Sequence, residues 1–170
     1  MFDKLIDVLL QFAEYFRFYT IVRHYQEGVV LRFGVYHRTI KPGLRWLWPL
    51  GVEDAILDGV VTRTSCTSNQ ALTTADNKML LNRTMLRWRS RDIKKALLDV
   101  EALDDVTRDI TYAMIANAVK ASTWDEVRAP GFMDELTKQA RRAWFRYGIE
   151  VEQLQFTDLT LTKSLTLNQN

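Results

Sequence analysis

The sequence predicts an α+β domain, with antiparallel strands packed with helices. Three observations carry that expectation. Between residues 20 and 90, short runs rich in Val, Ile, Thr and aromatic residues alternate with polar ones and are divided by Gly, Pro, Asn and Asp. Between residues 91 and 148 the apolar spacing lengthens to that of a helix, with cap and breaker residues at the joints. After Gly148 the two-residue alternation returns for one last strand.

The first 17 residues form an amphipathic pattern. Phe2, Leu5, Ile6, Leu9, Phe12, Ala13 and Phe16 fall on one face at about 100° per residue, and Asp3, Lys4, Asp7, Gln11 and Glu14 fall opposite, with Leu10 at the border. Phe18 would point to the polar side, so the helix ends or bends near Arg17. Such a helix either packs on protein or lies in a membrane interface. Its polar face is net acidic, so docking on lipid would rest on apolar insertion rather than on attraction to anionic headgroups.

Strands follow from Thr20. Val29, Leu31 and Phe33 alternate with Val30 and Arg32, and Gly34 marks a turn or bulge. Val35 to Ile40 is a second strand, and Pro42-Gly43 a turn. Leu44, Trp46 and Trp48 share one strand face, Arg45 and Leu47 the other, and Pro49 stops the run. Ala55 to Thr64 reads as a single strand, as does Asn69 to Thr74. Asp76-Asn77 is a turn, and Met79 to Arg89 a long strand with a mixed polar face.

The second half is helical. A short helix covers Arg91 to Val100, and a longer one Asp104 to Ala121, with Ile110, Met114, Asn117 and Ala121 near one stripe. Thr123-Trp124-Asp125-Glu126 fits a capping box. Pro130-Gly131 separates that turn from a helix lined on one side by Met133, Leu136, Ala140, Trp144 and Tyr147, which Gly148 caps. Ile149 to Leu161 is the final strand, and a polar tail follows Thr162.

Composition narrows the function classes. The 170 residues are 47% hydrophobic and 26% charged, enough to bury a core without staples. Twenty-three basic and 21 acidic residues give a net charge of +2, which offers no global drive toward nucleic acid. The single cysteine, Cys66, excludes an internal disulfide and a cysteine zinc site, and two histidines disfavour a His-rich metal centre. No window approaches the roughly 18 apolar residues that a spanning helix needs. Asp3 and Asp7 interrupt what would be a secretory signal. Phosphate-binding glycine loops, the His-Glu-x-x-His motif and glycine-flanked serine nucleophiles are absent from the sequence. Cys66 has no histidine near it in sequence, and Asn82-Arg83-Thr84 is a chance glycosylation sequon within a strand.

Four separated stretches then occur in a telling order. The string Glu27-Gly28-Val29-Val30-Leu31-Arg32-Phe33-Gly34, followed by Lys41-Pro42-Gly43-Leu44 and Pro49, resembles the opening of the SPFH or band-7 domain. Thr73-Thr74-Ala75-Asp76-Asn77 resembles that family's turn before a long strand. Thr123-Trp124-Asp125-Glu126-Val127 and Tyr147-Gly148-Ile149-Glu150-Val151 continue the likeness. The resemblance divides the chain into residues 1–22, an amphipathic N-terminal helix for membrane or partner docking, residues 23–162, an SPFH domain, and residues 163–170, a polar tail. It implies the fold of stomatins, prohibitins, flotillins and a bacterial pair that modulates a membrane protease. It also implies a non-catalytic, peripheral scaffold on the cytoplasmic face that oligomerises with itself or with family partners and organises membrane-protein clients or lipids. No cofactor, metal or small-molecule substrate is implied. Neither the spanning segment nor the long coiled coil of many members is found in this sequence. The alternative is a soluble interaction module that binds or caps an SPFH assembly, or another protein, through its N-terminal helix.

Two further groups stand out. Trp46, Leu47 and Trp48 either form an aromatic tip at a membrane interface or, with Trp46 and Trp48 in the core, leave Leu47 as the outward apolar residue. Arg83, Arg87 and Arg89 share a strand face and could meet lipid phosphates or an acidic partner, or stand solvated beside local acids. Arg141, Arg142 and Arg146 read as the solvated side of their helix.

Overall fold

A computed structural model describes residues 18–162. Residues 1–17 of the expected N-terminal helix and the polar tail of residues 163–170 lie outside the described residues, and the expected helix end at residues 19–22 is corrected: Tyr19–Val22 is a strand, held by pairing with Gly43–Trp46.

Two β-structures follow one another along the chain. In the first, β1 (Tyr19–Val22) pairs antiparallel with β4 (Gly43–Trp46) as a ribbon, and β2 (Gln26–Arg32) lies between β3 (Val35–Ile40) and β5 (Glu53–Gly59). Val22, Val30 and Ile40 are buried together, with Leu47, Ala55 and Leu57 packed against them. In the second, β8 (Met79–Ser90) is the spine. β6 (Arg63–Cys66) and β7 (Gln70–Thr73) pair end to end along one edge, and β9 (Ile149–Thr162) pairs along the other over the whole length of β8. Burial alternates strictly along β8. Leu80, Asn82, Thr84, Leu86, Trp88 and Ser90 face inward, whereas Met79, Leu81, Arg83, Arg87 and Arg89 face out.

Helices cover the inner face. They are α1 (Ile93–Leu98), α2 (Leu103–Ala121), α3 (Trp124–Arg128) and α4 (Pro130–Phe145). Trp88 and Trp144 are the largest fully buried side chains of the shared core, which also holds Leu80, Ile115, Val119 and Val151. Three local devices fix the helix ends. The Glu126 carboxylate accepts the Thr123 N–H at 2.7 Å, the return bond of the expected capping box. Asp76 accepts the Trp124 N–H at 3.1 Å and the Thr74 hydroxyl at 2.5 Å, so the turn before β8 caps α3. Lys78, Thr74 and that N–H hold the Asp76 carboxyl down at about 2. Gly148, at φ +73°, accepts the N–H groups of Arg91 and Asp92 at 2.8 and 3.0 Å, tying the end of α4 to the start of α1.

Four further expectations are corrected. Ala55 to Thr64 is not one strand. β5 and β6 belong to different sheets, and the chain crosses between them where the Val60 N–H bonds the Tyr25 carbonyl and the Arg63 guanidinium folds back on Asp58 and the Gly59 carbonyl. The buried line of α2 is Thr107, Thr111, Ile115 and Val119, beside the expected stripe of Ile110, Met114, Asn117 and Ala121. Thr107 and Thr111 bury because their hydroxyls bond the carbonyls of Leu103 and Thr107 one turn back, leaving their methyl groups for packing. Pro130-Gly131 opens α4 rather than separating it, since the first turn has no need of the missing proline N–H.

Arg141 is the fourth. It is not merely solvated: its guanidinium donates to the carbonyls of Val151 at 2.8 Å and Glu152 at 2.5 Å and so shields an unpaired strand edge. Arg141→Ala is expected to lose about 1–2 kcal/mol, read as a lower urea midpoint at unchanged slope. Arg142→Ala, on the exposed neighbour, should stay within about 0.5 kcal/mol of the parent. Equal midpoints for the two variants would mean that the edge bonds are solvated as well without the guanidinium. Asn82 is buried within β8, so its sequon is closed to modification in the folded chain.

Candidate membrane-docking surface

The β1–β4 ribbon is built with one apolar face turned to solvent. Register places Tyr19 opposite Trp46 and Ile21 opposite Leu44, all four on the same side. All four are exposed, Trp46 by 68%, and the Tyr19 and Trp46 rings meet edge-on with centroids 6.5 Å apart. Beyond the ribbon, Trp48 also stands out, 63% exposed, whereas Leu47 turns inward onto Val22, Val30 and Ile40. The sequence had left the face open, and burial assigns it: the tryptophans face outward and Leu47 is in the core. The Leu47 N–H bonds the Phe18 carbonyl at 2.8 Å, so the chain coming from residues 1–17 enters beside Trp46 and Trp48.

Two neighbouring turns extend the surface. The Phe33 N–H bonds the Val52 carbonyl at 3.0 Å and brings the β2–β3 turn against the β4–β5 turn. Phe33 and Leu50, at their tips, have φ of +51° and +63°, a conformation that side chains with a Cβ rarely adopt. Both are exposed, as is Val35. Bulky apolar residues held strained and wet at turn tips gain nothing for the fold, and such outliers gather at functional surfaces.

A buried carboxylate organises the base of this surface. The Glu53 side chain is fully buried. Its Oε1 accepts Arg32 at 2.8 Å and Arg38 at 3.1 Å, and its Oε2 accepts Arg38 at 3.0 Å and the Trp48 N–H at 3.2 Å. His37 Nε2 lies 3.8 Å from Oε1, and Arg38 also reaches the Trp46 carbonyl at 2.8 Å. Burial raises the Glu53 pKa, but the hydrogen bonds from Arg32, Trp48 and Arg38, with the charge of Arg38, outweigh it and hold the carboxyl below its ordinary range. Glu53 thus fixes the backbone on which both tryptophans ride. Nothing in the sequence singles it out, since its partners lie 5, 15 and 21 residues away.

Arg83, Arg87 and Arg89 share the outer face of β8, as their spacing predicts, but in the other sheet from the tryptophans. Arg89 grips Glu150 with two bonds of 3.1 and 2.9 Å, and Arg87 lies 3.7 Å from Glu152. Arg83 stands opposite Asp158 in the register. The local acids of β9 therefore take up much of this positive charge. Phe2, Leu5, Ile6, Leu9, Phe12 and Phe16 lie outside the described residues. Among the described residues no helix is long and apolar enough to cross a membrane.

The sequence profile described as "SPFH domain / Band 7 family" matches residues 20–170. Among curated proteins, Protein HflK of Haemophilus influenzae is 28% identical over 114 residues, 67% of this chain and 27% of that protein. Protein HflK of Vibrio cholerae is 30% identical over 114 residues, covering 67% of this chain and 28% of its own length. "Modulator of FtsH protease HflK" of Escherichia coli K12 is 25% identical over 114 residues, 67% of this chain and 27% of its own. The chain spans little more than a quarter of the length of these relatives. The two β-structures, the helical layer over the second, and a profile match running from β1 past β9 converge on one conclusion: this chain belongs to the SPFH domain / Band 7 family.

Proposed function

We propose that this chain is a non-catalytic scaffold that docks peripherally on the cytoplasmic face of a membrane, assembles with copies of itself or with SPFH partners, and holds membrane-protein clients. The observation that carries the reading is the clustering of exposed Tyr19, Ile21, Leu44, Trp46 and Trp48 beside the point where residues 1–17 enter the domain. Tryptophan and tyrosine favour the membrane–water boundary, with the ring in apolar surroundings and the polar atom wet. The apolar face of residues 1–17, built from Phe2, Leu5, Ile6, Leu9, Phe12 and Phe16, would extend the same insertion. One relative is named for modulating the protease FtsH. On that likeness the proposed client is an FtsH-type protease, and the proposed effect is to modulate it.

Vesicle flotation tests the docking. The full chain is expected to float with phospholipid vesicles. Trp46→Ala/Trp48→Ala should cut the bound fraction by tenfold or more, from about 1.5–3 kcal/mol per ring, with an unchanged unfolding midpoint. Leu9→Asp should do the same, because a carboxylate is costly to bury. A double variant that floats like the parent would sink the role of the aromatic surface. A chain that ignores lipid but forms a defined oligomer would favour the capping module. For the client, a changed rate of proteolysis by an FtsH-type protease in the presence of the chain is the expected readout, and an unchanged rate would remove it.

A further inference from the structure

The aromatic ribbon is bordered by a groove of about 460 Å³ lined by Arg38, Thr39, Lys41, Leu44, Arg45 and Trp46, with Ile40 beneath. We infer that this groove takes the headgroup of an anionic phospholipid, whose phosphate charge no choline offsets, so that docking is selective for anionic membranes. The inference rests on the membrane reading above and adds to it the class of lipid.

Charge is the first ground. Three cations line the groove and, among the described residues, no carboxylate does. Arg38 shares Glu53 with Arg32, two guanidinium groups on one carboxylate. Arg45 is held by neutral partners, the carbonyls of Lys41 at 2.9 Å and Pro42 at 3.1 Å, which orient the guanidinium, and among the described residues no carboxylate pairs with it. Lys41 is exposed, and among the described residues it enters no ion pair. A strongly cationic concavity suits a phosphate oxygen cluster.

Layering is the second ground. Leu44 and Trp46 form one wall of the groove and belong to the exposed apolar face of the ribbon. A membrane presents the same order of chemistry, acyl chains below and phosphates above, and long basic side chains reach back from apolar surroundings to that level. Residues 1–17 cannot supply this preference, because their polar face is net acidic. That acidic face is the competing occupant of the groove, through Asp3, Asp7 and Glu14.

Flotation of the full chain on phosphatidylcholine vesicles, with and without a minority of phosphatidylglycerol, separates these cases. The expected result is stronger binding to the anionic vesicles, weakened by added salt. Lys41→Gln should lower that binding about five-fold and Lys41→Gln/Arg45→Gln about thirty-fold, the effect of one and two cations at an anionic surface. Neither variant should change binding to phosphatidylcholine alone. Arg45→Lys, which keeps the charge and loses the carbonyl bonds, should stay near the parent. Equal binding to both vesicles, by parent and variants alike, would overturn the headgroup site and leave the membrane reading intact. Binding to neither vesicle would remove the membrane reading itself. A Lys41→Gln change that lowers the unfolding midpoint of the lipid-free chain without altering anionic selectivity would assign the groove to the acidic face of residues 1–17 and overturn the proposal.

Discussion

Glu53→Gln is expected to lower the unfolding free energy by about 3 kcal/mol at neutral pH, the low end for breaking a buried ion pair. The low end applies because Arg32 and Arg38 are each more than a third exposed and can turn to water once the carboxylate is gone. The loss has three sources. Two guanidinium groups lose their charged acceptor, the Trp48 N–H loses a carboxylate oxygen, and the glutamine amide would point hydrogens at donors. The last of these should also loosen the segment carrying Trp46 and Trp48, seen as a change in tryptophan fluorescence before unfolding. Urea denaturation at pH 7 reads the energy. The pH dependence has a definite sign. Glu53 is held below its ordinary value of 4.5, so its stabilisation is complete above that pH and fades as pH falls through the folded value. The gap between parent and variant should therefore close in acid. Asp76 contributes with the same sign, its share fading between its ordinary 3.8 and the folded value of about 2. Equal stabilities at pH 7 would mean that the two arginines are as well satisfied by water as by Glu53.

Gly148→Ala should cost about 3 kcal/mol or more, and its cause is different. Gly148 sits at φ +73°, where a Cβ alone costs roughly 1–2 kcal/mol. That Cβ would also stand 2.6 Å from the Asp92 carbonyl oxygen and 2.9 Å from the Asp92 Cβ. Neither atom can retreat cheaply. The N–H groups of Arg91 and Asp92 bond the Gly148 carbonyl, and Asp92 itself caps α1 through the Lys95 N–H. The added methyl would thus push α1 away from the junction of α4 and β9, at an overpacking cost of about 1–3 kcal/mol. Gly34→Ala is the control. Its φ is +78°, but nothing lies within 4 Å of the added carbon, so only the conformational cost of about 1–2 kcal/mol remains. Equal losses at the two positions in thermal or urea unfolding would show that Asp92 yields freely.

Much of the fold was legible because local chemistry specified it. The run Met79–Arg89 was legible as a long strand with Arg83, Arg87 and Arg89 on one face, and the strand extends one residue further, to Ser90. Thr123 with Glu126, and Gly148 after a helical stripe, marked helix ends because caps need particular side chains or φ values. The aromatic surface was legible only in part. Alternation put Leu44, Trp46 and Trp48 together, yet Tyr19, Ile21, Phe33, Val35 and Leu50 join them through strand pairing and turn contacts.

The sequence by itself determined the fold class, which residues of a strand share a face, and the family, because these follow from spacing along one chain. Which face meets water was decided by the tertiary structure. Leu47 lies inside and its tryptophan neighbours outside because β1 pairs with β4 and closes the small core around Val22, Val30 and Ile40. In the same way, partners distant in sequence gathered on Glu53, and the edge of β9 drew in Arg141. A period of two fixes a pair of faces and leaves their sign open. Only the elements that arrive from elsewhere in the chain choose which side is buried.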